Sequence, residues 1–86
     1  MSPLSTRRCI LRVLAQAKPY AVPQETLLAE VNRLVRPALT LGDLVKHLSW
    51  LKAKDMADFK SDALAPDDAD ARTWFVKEAG EVALQS

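Results

Sequence analysis

Lys46, Trp50 and Lys54 recur at four-residue intervals near the middle of this 86-residue chain. Residues four apart lie on the same side of a helix, so this spacing aligns two lysines with an indole. The lysines could neutralise phosphates, and the indole could contact a nucleic-acid backbone or another protein. Lys52 and His47 belong to the same segment, and these five residues form the predicted nucleic-acid-binding set.

Trp50 has two interpretations at this stage. It is either a contact residue, or it packs beside Phe59 or Trp74, because an exposed indole is costly. The lysines of the segment likewise either bind phosphate or form a solvated face. The same choice applies to three arginines near the N-terminus, Arg7, Arg8 and Arg12. For these arginines the solvated face is favoured.

Enzymatic chemistry finds little support in the sequence. His47 is the only histidine and Cys9 the only cysteine, and nothing has the spacing of a zinc site. There is no glycine-rich phosphate loop and no Ser/His/Asp set. Asp67, Asp68 and Asp70 match a calcium loop only in part, since its glycine and final glutamate are missing. We expect no catalysis, no metal and no cofactor, and a small buried hydrophobe at Cys9.

Charge is unevenly distributed along the chain. Residues 1–60 carry ten basic and five acidic side chains, whereas residues 61–86 carry two basic and six acidic ones. A basic body with an acidic tail fits nucleic acid on one face only. No apolar run approaches the roughly 20 residues of a membrane span, and the start of the chain has no apolar signal-peptide core. We therefore expect a cytoplasmic protein that does not enter membranes.

The apolar spacing predicts one domain over residues 1–86, with helices over about 6–17, 23–35 and 41–54. Ser5 or Thr6 is expected to cap the first helix, and Pro23 to open the second. Thr40 and Asp43 approximate a capping box for the third helix. Its buried stripe is predicted to contain Leu44, Leu48 and Leu51, with Leu48 at the centre of the core.

The rest of the chain predicts a small hairpin. Its strands are expected over about 56–60 and 73–77, with a mobile acidic loop at 62–71 and a short C-terminal helix from Glu78. About four residues are expected between the second and third helices, as in a helix-turn-helix. The predicted fold class is mainly α with a small two-stranded β-wing.

This arrangement resembles the winged helix-turn-helix domain of bacterial transcription regulators. Many of these regulators have a Leu-x-x-x-Gly-Leu-Val pattern before the wing and Trp-x-Leu-Thr-x-x-Gly after it. Here Asp55 stands in place of the first glycine and Lys77 in place of the threonine. The resemblance is carried by Leu44, Leu48 and Leu51, by Met56-Ala57, and by Trp74-Phe75-Val76-Lys77-Glu78-Ala79-Gly80.

The resemblance implies a small DNA-binding protein, a transcriptional regulator or accessory factor, with its third helix in the major groove of double-stranded DNA. The alternative is a winged-helix adaptor that binds another protein, or a second copy of itself, and does not bind DNA. The adaptor hypothesis explains the acidic loop, because DNA phosphates would repel the carboxylates of that loop. Salt-dependent binding to duplex DNA separates the two hypotheses.

Overall fold

The computed structural model describes residues 2–85, which form four α-helices and a three-stranded antiparallel sheet. The prediction of a mainly helical chain with a small sheet and a short C-terminal helix is confirmed at this level. The sheet has three strands instead of two because the segment before the second helix also pairs with it. In chain order the elements are α1 Pro3–Gln16, β1 Val22–Pro23, α2 Gln24–Asn32, α3 Leu41–Ala53, β2 Ala57–Lys60, a 3₁₀ helix Ala69–Ala71, β3 Thr73–Val76 and α4 Glu78–Leu84.

The first helix begins before its predicted start at residue 6. Ser2 is the N-cap: its Oγ accepts a hydrogen bond from the Ser5 N–H at 3.2 Å. Pro3 fits the first turn, where an N–H has no partner within the helix. The prediction of Ser5 or Thr6 as the cap is therefore wrong. Thr6 lies inside the helix and is buried, and its hydroxyl donates to the Ser2 carbonyl at 3.2 Å.

The second helix ends at Asn32, short of the predicted residue 35. Eight residues, 33–40, connect it to α3, where the sequence predicted about four. The Asn32 amide holds this connection: its Nδ2 donates to the Leu39 carbonyl at 3.0 Å and its Oδ1 accepts from the Leu39 N–H at 2.7 Å. Such side-chain bonds compete with continuation of a helix. Val35 stays buried outside the helix, whereas Leu34 is exposed.

The third helix has the predicted start and the predicted phase. Thr40 and Asp43 form a complete capping box, with the Asp43 N–H donating to Thr40 Oγ1 at 3.1 Å and the Thr40 N–H donating to Asp43 Oδ2 at 3.2 Å. The bonds from Thr40 hold the pKa of Asp43 below its usual value. Leu44, Leu48 and Leu51 are fully buried, which confirms the apolar stripe.

Trp74 anchors the sheet to the helices. It lies on the central strand β3, opposite Val22 of β1 and opposite Phe59 of β2. Its Nε1 donates to Gln24 Oε1 at 3.0 Å in the buried interior. Because Gln24 is the first residue of α2, this bond joins the start of that helix to the sheet.

The connection from α3 to β2 is tight and needs an unusual backbone conformation. Asp55 has a φ of 61°, in the left-handed region that favours glycine. The Asp55 N–H donates to the Lys52 carbonyl at 3.0 Å and the Met56 N–H to the Leu51 carbonyl at 2.9 Å, which together form a Schellman termination. The Asp55 carboxylate also pairs with Lys77, which directly follows β3 at the same end of the hairpin.

Gly80 allows α4 to lie against this connection. A Cβ at residue 80 would collide with the Met56 carbonyl oxygen and would lie 2.9 Å from a methyl group of Val76. The backbone carbonyl cannot move away as a flexible side chain could. The last glycine of the resembling pattern is therefore required here by close packing.

The loop between β2 and β3 contains local structure that its composition did not indicate. Asp62 and Ala65 form an isolated antiparallel bridge. The Asp68 side chain accepts a hydrogen bond from the Asp70 N–H at 2.9 Å at the start of the 3₁₀ helix. These are short-range bonds within an exposed segment, and the mobility of residues 62–71 remains a prediction.

Candidate functional site

The five predicted site residues of α3 do not share one side of the helix. Lys46 is exposed on its outer face, while His47 is half-buried in a recess that also contains Thr6 and Val35. Trp50 lies towards α1, whereas Lys52 lies towards the sheet. The sequence spacing aligned Lys46, Trp50 and Lys54, but it could not reveal which neighbouring element each side chain would meet.

Lys52 is paired within the protein. Its Nζ lies 3.1 Å from Asp58 Oδ1 and 5.4 Å from the centroid of the Phe59 ring. The Phe59 N–H, which donates to the same carboxylate at 2.8 Å, and Lys52 together lower the pKa of Asp58. Lys52 therefore has a carboxylate partner and is the least available of the three predicted lysines for a phosphate.

Trp50 is covered by an arginine that the sequence did not connect with it. The Arg7 Cζ lies 3.9 Å from the indole centroid, and the Lys54 Nζ lies 5.7 Å from it. Both distances are within the range of a cation–π contact. Trp50 remains 37% exposed. Phe59 and Trp74 pair with each other at 5.1 Å, while the indole of Trp50 faces Arg7 of α1 instead.

Arg7 connects the start of α1 to α3. Its Nε is buried and has no hydrogen-bond partner within residues 2–85. The pKa of His47 is lowered, first by burial of the imidazole and second by the positive charge of Arg7, while Asp43 acts in the opposite direction. His47 is therefore neutral at pH 7, and the positive charge of this surface comes from arginine and lysine.

Four basic side chains of α1 and of the α3 segment form no ion pair within residues 2–85, although Lys46 interacts electrostatically with the Asp43 carboxylate. Within residues 2–85 the ion pairs are Lys18–Glu81, Arg33–Glu30, Lys52–Asp58 and Lys77–Asp55. None of them includes a basic side chain of the surface formed by Arg7, Arg8, Lys46 and Lys54, which we call the basic α1–α3 surface. This surface is suited to binding an anion.

An apolar groove of about 190 Å³ lies beside the basic α1–α3 surface. It is formed by the first half of α1, the end of α3 and the end of α4. Its lining combines apolar side chains with two arginines, and includes Leu4, Leu11, Trp50, Leu84, Arg7 and Arg8. No local pattern in the sequence predicts this groove, because its walls come from segments that are far apart in the chain.

No metal-binding cluster of His, Cys, Asp and Glu occurs among residues 2–85. Cys9 is half-buried against the core, less deeply than expected, and burial raises the pKa of its thiol. A raised pKa reduces the thiolate fraction and with it the reactivity of the sulfur. The same part of the chain has no helix long and apolar enough to cross a membrane.

Comparison of the chain with protein-family models, with curated proteins and with solved structures finds no match in any of the three. The functional argument therefore rests on the geometry of the basic α1–α3 surface and of the adjoining groove.

Proposed function

We propose that this protein is a winged helix-turn-helix protein that binds double-stranded DNA, as a small regulator or accessory factor. In this proposal α3 approaches the major groove, and the start of α1 contacts the adjacent phosphates. The observation that carries the proposal is the set of cations without carboxylate partners on the basic α1–α3 surface. The set of cations differs from the predicted one, since Arg7 and Arg8 are added and Lys52 and His47 are removed.

Pairing elsewhere in the protein supports this choice. Lys18, Lys52 and Lys77 each have a carboxylate partner, so their charge is already compensated. Lys46 and Lys54 form no ion pair within residues 2–85, although Asp43 attracts Lys46 at longer range. Each lysine can replace a counterion at a phosphate. Release of condensed counterions is the main source of affinity for such contacts.

The Arg7–Trp50 stack supports a defined geometry for one of these contacts. The Arg7 Cζ lies 3.9 Å from the indole centroid, so the indole covers one side of the guanidinium. A planar guanidinium donates two parallel bonds to a phosphate. In this proposal Trp50 positions Arg7 and shields the contact between Arg7 and the DNA backbone. The indole itself neutralises no charge.

The acidic β2–β3 loop is kept away from the phosphates in this proposal. Asp62, Asp67, Asp68 and Asp70 would be repelled by a DNA backbone, whereas wings of this fold often approach it. Binding is therefore assigned to α3 and α1 alone, which limits the number of phosphate contacts and predicts modest affinity.

The test is a titration of random duplex DNA at several salt concentrations. Lys46→Ala and Lys54→Ala should each weaken binding to all sequences and reduce the slope of log K against log salt by about one unit, because each removes one phosphate contact. Trp50→Ala should weaken binding with the slope unchanged, since an indole carries no charge.

Lys52→Ala is the matched control, because this lysine lies on the same helix but is paired with Asp58. It should leave the slope unchanged. Wild-type protein that does not bind duplex DNA at about 50 mM salt would contradict the proposal, since electrostatic binding is strong at low salt.

The second candidate is a protein-interaction module, and the apolar groove favours it. An exposed apolar surface with polar surroundings commonly marks a binding site for another protein. Under this alternative Trp50 would be shielded by a partner, and the wild type would show no salt-dependent binding to duplex DNA.

A further inference from the structure

The apolar groove beside Trp50 offers a site for one aliphatic side chain next to two positive charges. Its volume of about 190 Å³ exceeds the roughly 150 Å³ of a cavity that takes a benzene molecule. Leu4, on its wall, is 66% exposed. Arg7 and Arg8 also line it and have no carboxylate partner within residues 2–85. A ligand that fits should carry an apolar side chain and nearby acidic groups.

The β2–β3 loop of the same chain carries this combination. Leu64 is 95% exposed, the most exposed large hydrophobic residue among those described. It lies on a closed turn: its N–H donates to Asp62 Oδ1 at 2.8 Å, and the Ala65 N–H donates to the Asp62 carbonyl at 3.0 Å. Asp67 and Asp68 follow three and four residues after Leu64. The turn therefore presents a leucine in a defined conformation, with carboxylates beside it.

We propose that the groove of one molecule binds the Leu64 turn of a second copy of the chain. Burial of Leu64 against Leu4, Leu11 and Leu84 removes apolar surface of both molecules from water. The carboxylate of Asp67 then faces the guanidinium groups of Arg7 and Arg8. The turn is already closed by hydrogen bonds, which reduces the conformational entropy lost on binding.

A second copy is the occupant because the loop does not reach the groove of its own chain. Residues 62–71 are absent from the groove lining, and their bonds are local. Turn and groove are different surfaces, so the contact is head-to-tail. Such a contact continues into a ring or an open chain of molecules and does not stop at a symmetric dimer.

Sedimentation velocity over a range of protein concentrations tests the proposal. The wild type should show an average mass that rises with concentration beyond the dimer. Leu64→Ser should weaken association about tenfold or more, because it removes the buried leucine. Leu4→Asp should do the same from the groove side. Leu34→Ser is the matched control, since Leu34 is also exposed but lies outside both surfaces.

Mixing the two defective variants gives the sharpest result. Leu64→Ser keeps an intact groove and Leu4→Asp keeps an intact turn, so an equimolar mixture should form a dimer and nothing larger. Charge exchange adds an independent test: Arg8→Glu and Asp67→Lys should each weaken association, and mixing them should restore it. Circular dichroism of each variant checks that it remains folded.

Two results would overturn the proposal. A wild type that stays monomeric at all soluble concentrations would leave a different protein as the occupant of the groove. Association that persists unchanged in Leu64→Ser would place the interface elsewhere, for example between two grooves. Neither result affects duplex binding by Lys46 and Lys54, so this inference and the proposed function fail independently.

Discussion

At the scale of single residues, Trp50 shows how a distant contact decides what a side chain can do. Its helix position is a matter of local spacing, but its environment is set by Arg7, which approaches from another helix. The guanidinium covers one side of the indole and leaves 37% of the residue exposed. Trp50 is thus neither fully buried nor free. Its indole ring is the surface against which the Arg7 guanidinium packs.

His47 provides a test of the charge on this surface. Its folded-state pKa is below the ordinary value of 6.5 because the imidazole is partly buried and lies near Arg7. The unfolded chain therefore binds more protons than the folded one as the pH falls below about 6.5. Stability should decrease in that range, and thermal melts from about pH 7.5 to pH 5 should show a falling Tm.

His47→Gln should remove this part of the decrease, because glutamine does not titrate. Destabilisation from carboxylates with lowered pKa values, such as Asp43 and Asp58, begins only as the pH falls below about 5, at the lower limit of this range. A variant whose Tm falls between pH 7.5 and pH 5 as steeply as that of the wild type would contradict the assignment to His47.

At the scale of secondary structure, α3 was the element most accurately predicted from the sequence. Its cap and its buried stripe depend on residues within a few positions of one another, and both were confirmed. The limits of α1 and α2 were predicted poorly because they depend on Ser2 and on the Asn32–Leu39 bonds, which compete with the periodic pattern.

The sheet and the groove show a different limit of sequence-based prediction. The third strand exists because Val22 and Trp74 come together, and the groove exists because α4 packs against α1. Neither pairing leaves a periodic signal in the chain. Asp55 is a related case: a left-handed position normally taken by glycine is occupied here by a residue that tolerates it less well.

The β2–β3 loop should be dispensable for folding. Replacing residues 62–71 by Asn-Gly would keep Ser61 and Arg72 beside the paired residues Lys60 and Thr73. Loop-closure entropy changes slowly with length, so the free energy of unfolding should change by no more than about 1 kcal/mol. Urea denaturation measures this change, with the wild type as reference. A shortened variant that is already unfolded without urea would show that the 3₁₀ helix is part of the core.

At the scale of the whole molecule, charge is separated between two regions. Four of the cations without an ion pair within residues 2–85 lie on the basic α1–α3 surface, and four carboxylates lie on the β2–β3 loop. The first arrangement attracts polyanions and the second repels them. The same separation makes the loop of one molecule complementary to the groove of another. The two proposals, DNA binding and self-association, therefore rest on one charge distribution.

A single core holds all of these surfaces in place, and Leu48 lies in it with no exposed surface. A chain of this size buries only about 60% of its unfolded surface, so no second core can compensate for a loss. Leu48→Ala should cost about 2–5 kcal/mol of a total of roughly 5–15 kcal/mol. Thermal denaturation should show a large fall in Tm.

Val45→Ala is the control on the same helix, because Val45 is 36% exposed and its truncation leaves no enclosed cavity. Its effect should stay within about 1 kcal/mol. If both variants melted at the same temperature, Leu48 would not be central to the packing of α3. The positions of Trp50 and Lys54 relative to Arg7 would then lose their structural basis, since the same helix phase sets all of them.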